Sequence, residues 1–335
     1  MRLLIVRLSA MGDVIHALPL AANAHAAGAT VGWVVERPFA GLLEGNPDCD
    51  SVLIADTKRW RRRLPAPSTW HEIPSLFTAL RRFAPDRTID AQGLWKSALV
   101  ARVAGAPVAG LAASERREPG SALLCAVRVV PAPSERHVVD RALALLSAVG
   151  IPVTRRAPDA GYLLSQPSPA ADAFLASIPK PFAVFHPGAG QPAKTWGEDR
   201  FANLAVALRR ETGLHPVVSW GPGDEPRAER LCSLTSPSSR PPLLDFAGLA
   251  HLLAASTLVV AGDTGPLHLA DALGVLTLGL FGAADSDHNR PDQNGPYRNR
   301  SAVVAPMHEV SDRTVLERAI DLLGQKCRHP LTPER

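Results

Sequence analysis

The sequence predicts an α/β protein made of two doubly wound domains. Short apolar runs alternate with helical patterns from one end of the 335 residues to the other, which is how parallel sheets covered by helices on both faces read in sequence. The alternation breaks between about residues 151 and 181, where the proline-rich stretches IPVTRRAPDA, QPSPAADAF and IPKP separate two similar halves. The composition, 46% hydrophobic and 20% charged, is that of a chain that buries cores and excludes disorder as its main state. At roughly 150 residues per domain the length also gives about two.

Strands are expected at 3–6, 30–35, 51–54, 87–90, 183–186, 215–219, 257–261 and 275–281, with helices at 14–27, 73–83, 95–104, 138–148, 201–210, 265–273 and 313–323. Such sheets bind ligands outside the carboxyl ends of their strands, so chemistry is expected there and in a cleft between the two domains. The stretch SLTSPSSRPP at 233–242 reads as a surface loop.

Lys and Arg number 36 against 32 Asp and Glu, a net charge of +4, too weak a bias to point to nucleic acid. Cys49, Cys125, Cys232 and Cys327 lie far apart with no C-x-x-C pair, which fits a reducing compartment. Arg7 and Asp13 interrupt the opening apolar run, so no export signal is expected. The longest apolar stretch, 273–284, is about a dozen residues where a spanning helix needs roughly 20, so any membrane contact is expected to be peripheral.

The first strand runs into LSAMGDVIHALP, where Gly12 permits a tight turn and Asp13 opens a helix. Asp13 there either caps the helix or serves as a general base. In the second half, the strand at 183–186 leads into HPGAGQPAKTW. This nearly matches a P-loop, but Ala193 replaces its second glycine and Pro192 lacks an N–H, so a P-loop NTPase is disfavoured. What remains is a loop of small residues with one cation, Lys194, suited to a phosphate or diphosphate. After the strand at 215–219, WGPGDEPRAE presents Glu225 at a helix start, where an acid commonly accepts hydrogen bonds from a ribose.

AGDTGPLHLADALG is the most informative segment. A strand ends in Asp263-Thr264-Gly265, and Pro266 pre-sets the first turn of the helix that carries His268. The free N–H groups at that helix start form an anion site. Asp285 and Asp287 lie in a loop with no metal-ligand spacing, and no metal or cofactor is expected. KRWRRR at 58–63 packs five cations around Trp60, but no interleaved aromatics or helix-turn-helix accompany it. An anionic small molecule or lipid headgroup is the expected partner, with Arg116 and Arg117 extending the site.

LIVRLSAMGDVIHALP, WVVERPF, KRWRRR, IDAQGLWKSAL, RREP, HPGAGQPAKTW and AGDTGPLHLADALG occur in this order across most of the chain. Together they resemble glycosyltransferase family 9, the lipopolysaccharide heptosyltransferases, and IDAQGL-K-S with RREP resembles its type I members more than type II. The resemblance implies a GT-B fold of two Rossmann-like domains facing across a cleft. Residues 1–160 would be the acceptor-binding domain and 161–335 the ADP-heptose-binding domain. It implies inverting, metal-independent transfer of L-glycero-D-manno-heptose from ADP-heptose to the inner Kdo of Kdo-lipid A, by a cytoplasmic enzyme that meets the inner membrane peripherally through its basic patch.

Carried over by residue, Asp13 would be the catalytic base. Lys194, Thr264 and Gly265 would hold the diphosphate, Glu225 the ribose, and Asp263 with His268 would line the donor site near the heptose. Arg59, Arg61, Arg62, Arg117 and Lys96 would meet the acceptor's carboxylates and phosphates. Gly188, Ala189 and Gly190 stand where some relatives have hydroxyl side chains, so phosphate contacts there would come from backbone N–H groups. The alternatives are a transferase of the same architecture with another acceptor, such as a type II enzyme, and a non-catalytic nucleotide- or lipid-binding protein. A dehydrogenase is disfavoured because no G-x-G-x-x-G follows a strand.

Overall fold

The computed structural model describes residues 1–62, 67–188, 195–282, 290–298, 303–304, 306 and 309–328. The chain divides into two compact units, Met1–Tyr162 and Leu163–Arg335.

The first unit runs β1 (Arg2–Val6), α1 (Met11–Ala26), β2 (Thr30–Val35), β3 (Ser51–Ile54), α2 (Thr57–Arg62), α3 (Pro67–Phe83), β4 (Arg87–Asp90), α4 (Trp95–Val103), β5 (Val108–Leu111), β6 (Val127–Val129) and α5 (Val138–Leu143). Its strands are all parallel, in the order β3-β2-β1-β4-β5-β6. That is the doubly wound order in which the chain first works outwards from β1 in one direction and then in the other. The register pairs Ile5 with Trp33 on one side and with Ile89 on the other. β1 is apolar throughout its buried residues because both faces are covered, and Leu4, Val6, Val34, Leu76, Leu80, Val100 and Ala101 pack into one core under α3 and α4.

The second unit runs α6 (Pro169–Ser177), β7 (Phe182–His186), α7 (Glu198–Thr212), β8 (His215–Val218), α8 (Glu225–Leu234), α9 (Phe246–Ala254), β9 (Leu258–Gly262), α10 (Gly265–Ala272), β10 (Thr277–Leu280), α11 (Pro291–Asn294), β11 (Val303–Val304) and α12 (Asp312–Arg328). Its sheet is parallel in the order β11-β10-β9-β7-β8. α7 shows how local chemistry sets an element. Glu198 and Asp199 complement the dipole in its first turn, Arg209 and Arg210 in its last, and Gly213 ends it at a left-handed φ of 74°. α12 packs on α7, where Arg200 Nε donates to Asp312 Oδ1 at 2.7 Å.

Every expected strand and helix is present, with shifts of a few residues at most ends. The helix expected at 138–148 tightens instead into a 3-10 turn over Ala144–Val149 after α5, closed by Gly150 in the left-handed region. β5, β6 and β11 were not expected; β6 and β11 are three and two residues long, too short for a periodic signal.

Candidate active site

The order of the first sheet reverses between β1 and β4, and ligands of open α/β sheets bind outside the carboxyl ends of the strands at such a point. Residues 7–13 leave β1 there. Asp13 sits in the first turn of α1. Its Oδ2 accepts from the Ala10 N–H at 3.1 Å, and its Oδ1 pairs with Arg7 Nη2 at 2.6 Å. The Asp13 side chain stays 41% exposed, against 11% for Arg7. Asp13 therefore closes the helix start and still faces solvent. A carboxylate has about four acceptor sites, so these two bonds leave room for a substrate hydroxyl.

Arg7 spans the reversal point. Its Nη1 donates to the Ala91 carbonyl just past β4, while its own carbonyl accepts from Trp33 Nε1 at 3.2 Å. Gln92 Oε1 accepts from the Leu8 N–H at 2.9 Å, a second tie between the same two strand ends.

Beside this loop, Lys96 Nζ donates to Glu36 Oε1 at 2.9 Å and lies 3.5 Å from Ser9 Oγ. Glu36 is 1% exposed at the end of β2, and its Oε1 also accepts from Thr57 Oγ1 at 2.5 Å. Burial of that carboxylate is tolerated because a cation and a hydroxyl satisfy it. Arg59 is also engaged: its Nη1 is 3.0 Å from Glu72 Oε1, and Trp60 Nε1 donates to the other oxygen at 2.9 Å. Arg61 and Arg62 belong to α2. Arg117 is exposed.

Arg116, expected to extend the basic site, does not. Its side chain is fully buried, with Nη1 at 2.8 Å from Asp90 Oδ2 and 3.0 Å from Ser121 Oγ, and Nε on the Leu111 carbonyl at 2.5 Å. Of the two adjacent arginines one braces the sheet and the other meets solvent.

In the second unit the order reverses between β7 and β9. β9 delivers Asp263, Thr264 and Gly265 to that point, and α10 starts at Gly265. The Thr264 hydroxyl donates to the Gly262 carbonyl at 3.2 Å and makes no cap bond to the helix. The helix start therefore keeps N–H groups and a positive dipole end for an anion. Asp263 Oδ1 lies 3.2 Å from His268 Nε2, which orients the ring, and both side chains are nearly buried.

β7 delivers His186 and Gly188. Burial pushes the His186 imidazole down to about 4, so it is neutral, with Nδ1 at 3.1 Å from Ser219 Oγ. A Cβ on Gly188 would come 2.3 Å from Asp224 Oδ2 and 2.9 Å from His186 Nε2, so any larger residue there would displace the Asp224 carboxylate. Burial raises the Asp224 carboxyl above the usual range. Glu225 opens α8, with Oε1 at 3.3 Å from Arg240 Nη1. Lys194 lies outside the described residues, as do Asp285 and Asp287. Of the residues that follow Lys194 in the sequence, Thr195 Oγ1 accepts from Arg227 Nη1 at 3.0 Å and the buried Trp196 has Arg200 stacked 4.6 Å over its ring.

Sequence reading missed Arg7, Glu36 and Asp224. Arg7 was visible as a charge immediately after an apolar strand, and Asp224 as the neighbour of Glu225. Glu36 lies inside WVVERPF, but nothing in the sequence marks it as buried, since a buried carboxylate is recognised by its partners, which are 21 and 60 positions away. Among the described residues no group of three or more His, Cys, Asp or Glu could hold a metal ion, and no helix is long and apolar enough to cross a membrane.

A family model described as glycosyltransferase family 9 (heptosyltransferase) matches residues 73–319. Lipopolysaccharide heptosyltransferase 1 of Pseudomonas aeruginosa is 36% identical over 287 residues, 84% of this chain and 79% of the relative. Among solved structures, Escherichia coli heptosyltransferase WaaC with ADP superposes with a TM-score of 0.80 at 28% identity, covering 96% of this chain and all of that one. The same enzyme with ADP-2-deoxy-2-fluoro heptose gives 0.77 at 29%, covering 97% of this chain and all of that one.

Proposed function

This chain belongs to glycosyltransferase family 9, the heptosyltransferases, and has their GT-B fold; on that premise we propose that it transfers heptose from ADP-heptose to the inner Kdo of Kdo-lipid A in lipopolysaccharide core synthesis. The donor half of this reading is supported by the likeness to WaaC bound to ADP and to an ADP-heptose analogue. The observation that carries the chemistry is Asp13, a carboxylate at a strand-order reversal that is braced on one side and solvent-facing on the other.

In this reading the first unit takes the acceptor and the second the donor. Asp13 removes the proton from the acceptor hydroxyl as its oxygen attacks the anomeric carbon of the heptose. The bond from that carbon to the β-phosphate oxygen breaks, and ADP leaves with the bonding electrons. A single displacement from the face opposite ADP inverts the anomeric centre. The charge that grows on the diphosphate is met by the Lys194 ammonium, by Thr264 and by the N-terminus of α10, whose dipole is aimed before reaction. Glu225 accepts from the ribose, and His268, oriented by Asp263, lines the heptose end. Arg59, Arg61, Arg62, Arg117 and Lys96 meet the acceptor's carboxylates and phosphates, and peripheral contact with the cytoplasmic face of the inner membrane presents it.

The test is ADP release from ADP-heptose with Kdo-lipid A. The wild type is expected to turn over, and Asp13→Asn to lose at least about a hundredfold in kcat, the usual scale for a general base. Unchanged turnover in the variant removes Asp13 from the reaction. Donor binding with no turnover in the wild type favours a non-catalytic binding protein, and turnover only on an acceptor that already carries a heptose favours a type II activity.

A further inference from the structure

α4 reads WKSALVARV and buries Ser97, Ala98, Val100 and Ala101 against the sheet. Its other stripe carries Trp95, Leu99 and Val103 at four-residue spacing, one face of a helix, and they are 44%, 52% and 43% exposed. The 3-10 turn Pro119–Leu124 lies alongside, close enough that a Cβ on Gly120 would come 2.8 Å from Trp95 Cζ2, and its Leu123 is 73% exposed. The edge strand β6 continues the surface, since Arg128 Nε donates to the Ala122 carbonyl at 3.0 Å. Single exposed apolar residues are ordinary, but a row of them marks an interaction surface.

The charge on this surface has one sign. WKSALVARV, PGSALL and VRV contain Lys96, Arg102 and Arg128 and no carboxylate. Of the nearby acids, Glu118 accepts from the Trp95 N–H at 2.6 Å, Glu115 pairs with Arg141 at 2.8 Å, and Glu36 is buried against Lys96 at 2.9 Å.

We propose that the α4 face is a docking surface for an anionic lipid bilayer. Trp95, Leu99 and Leu123 enter the headgroup boundary, and Arg102 and Arg128 meet lipid phosphates. Lys96, next to Trp95, reaches to 3.5 Å from Ser9 in the loop that leads to Asp13, so docking would set the catalytic loop close to the lipid surface. A second copy of the chain is a poorer occupant, because a two-fold interface sets each arginine against its own kind. The choice of a lipid partner rests on the transfer reading above.

Cosedimentation with vesicles of phosphatidylcholine plus phosphatidylglycerol, against phosphatidylcholine alone, tests it. The full chain is expected to pellet with the anionic vesicles. Arg102→Gln should weaken binding about fivefold, and Leu99→Gln with Leu123→Gln about tenfold. All three sites are exposed, and circular dichroism should show unaltered folding. Transfer to a water-soluble, acyl-free Kdo acceptor should be unchanged in these variants. The proposal is overturned if the wild type ignores anionic vesicles, if binding survives these changes and is lost on Arg59→Gln instead, or if Leu99 and Leu123 control self-association. Activity on the soluble acceptor without vesicle binding sinks the docking surface alone. Vesicle binding through this face without activity sinks the transfer reading alone.

Discussion

Arg7 Nη2 sits 2.6 Å from Asp13 Oδ1, and the other end of the same guanidinium donates to the Ala91 carbonyl beyond β4. The catalytic candidate is thus tied to the ends of the two strands between which the sheet reverses its order. An exposed carboxylate in the first turn of a helix could otherwise adopt several rotamers, and each loss of orientation raises the barrier of a reaction that depends on alignment. Arg7 is itself held by its backbone, whose carbonyl accepts from the buried Trp33 ring. The brace extends from the core outwards.

Shortening or removing that brace should therefore cost catalysis more than binding. Arg7→Lys keeps the charge but cannot reach both partners, and Arg7→Met loses both contacts. We expect kcat to fall about tenfold in the first and about a hundredfold in the second, the scale of a misplacement near 1 Å, with KM for the acceptor little changed. Steady-state kinetics on both substrates checks this. A fall confined to KM would mean that Arg7 contacts the acceptor and does not position Asp13.

A parallel test applies to the second unit. His268 is oriented by Asp263 at 3.2 Å. If the ring meets charge only as the donor bond breaks, His268→Ala should lower kcat about a hundredfold and Asp263→Asn about tenfold, the range for losing one aimed donor or its support. ADP affinity by calorimetry should stay near wild type in both. Equal losses in ADP affinity would instead place His268 on the ground-state diphosphate.

Legibility in the sequence followed length and periodicity. β1, β2, β7 and β9 were readable because parallel strands buried on both faces are nearly continuous apolar runs. β6, three half-solvated residues at an edge, carried no such run. Asp13, Thr264 and His268 were readable because each follows a strand end, and the switch points fall where the chain reverses direction in the sheet. The separation of Arg116 from Arg117 was not, since adjacent residues of one type are told apart only by what surrounds them. Asp90, 26 positions before Arg116, supplies that partner.

That separation predicts opposite phenotypes for neighbouring substitutions. The Arg116–Asp90 pair is fully buried, so Arg116→Met strands a carboxylate in the core and should cost about 3–5 kcal/mol. Arg117→Ala should leave stability within about 0.5 kcal/mol, as for an exposed side chain without structural bonds, and raise KM for the phosphorylated acceptor. Urea unfolding and acceptor titrations measure the two. Comparable destabilisation by both would contradict the buried and exposed assignments.

The buried imidazole of His186 gives the second unit a pH dependence of definite sign. Burial lowers it from an ordinary 6.5 to about 4. The unfolded chain therefore binds a proton between those values that the folded chain does not, and acid favours unfolding. Its contribution is fully present above pH 6.5 and is lost as the pH falls towards 4, amounting to about 3 kcal/mol at the acid end. Stability of the second unit, followed by Trp196 and Trp220 fluorescence in urea, should fall across this window, and His186→Gln should flatten that part of the fall. The variant also keeps a side-chain amide within reach of Ser219, whose hydroxyl is 3.1 Å from the native ring, so that lost hydrogen bonding does not mask the effect. An identical acid slope in wild type and variant would assign the proton uptake to another group.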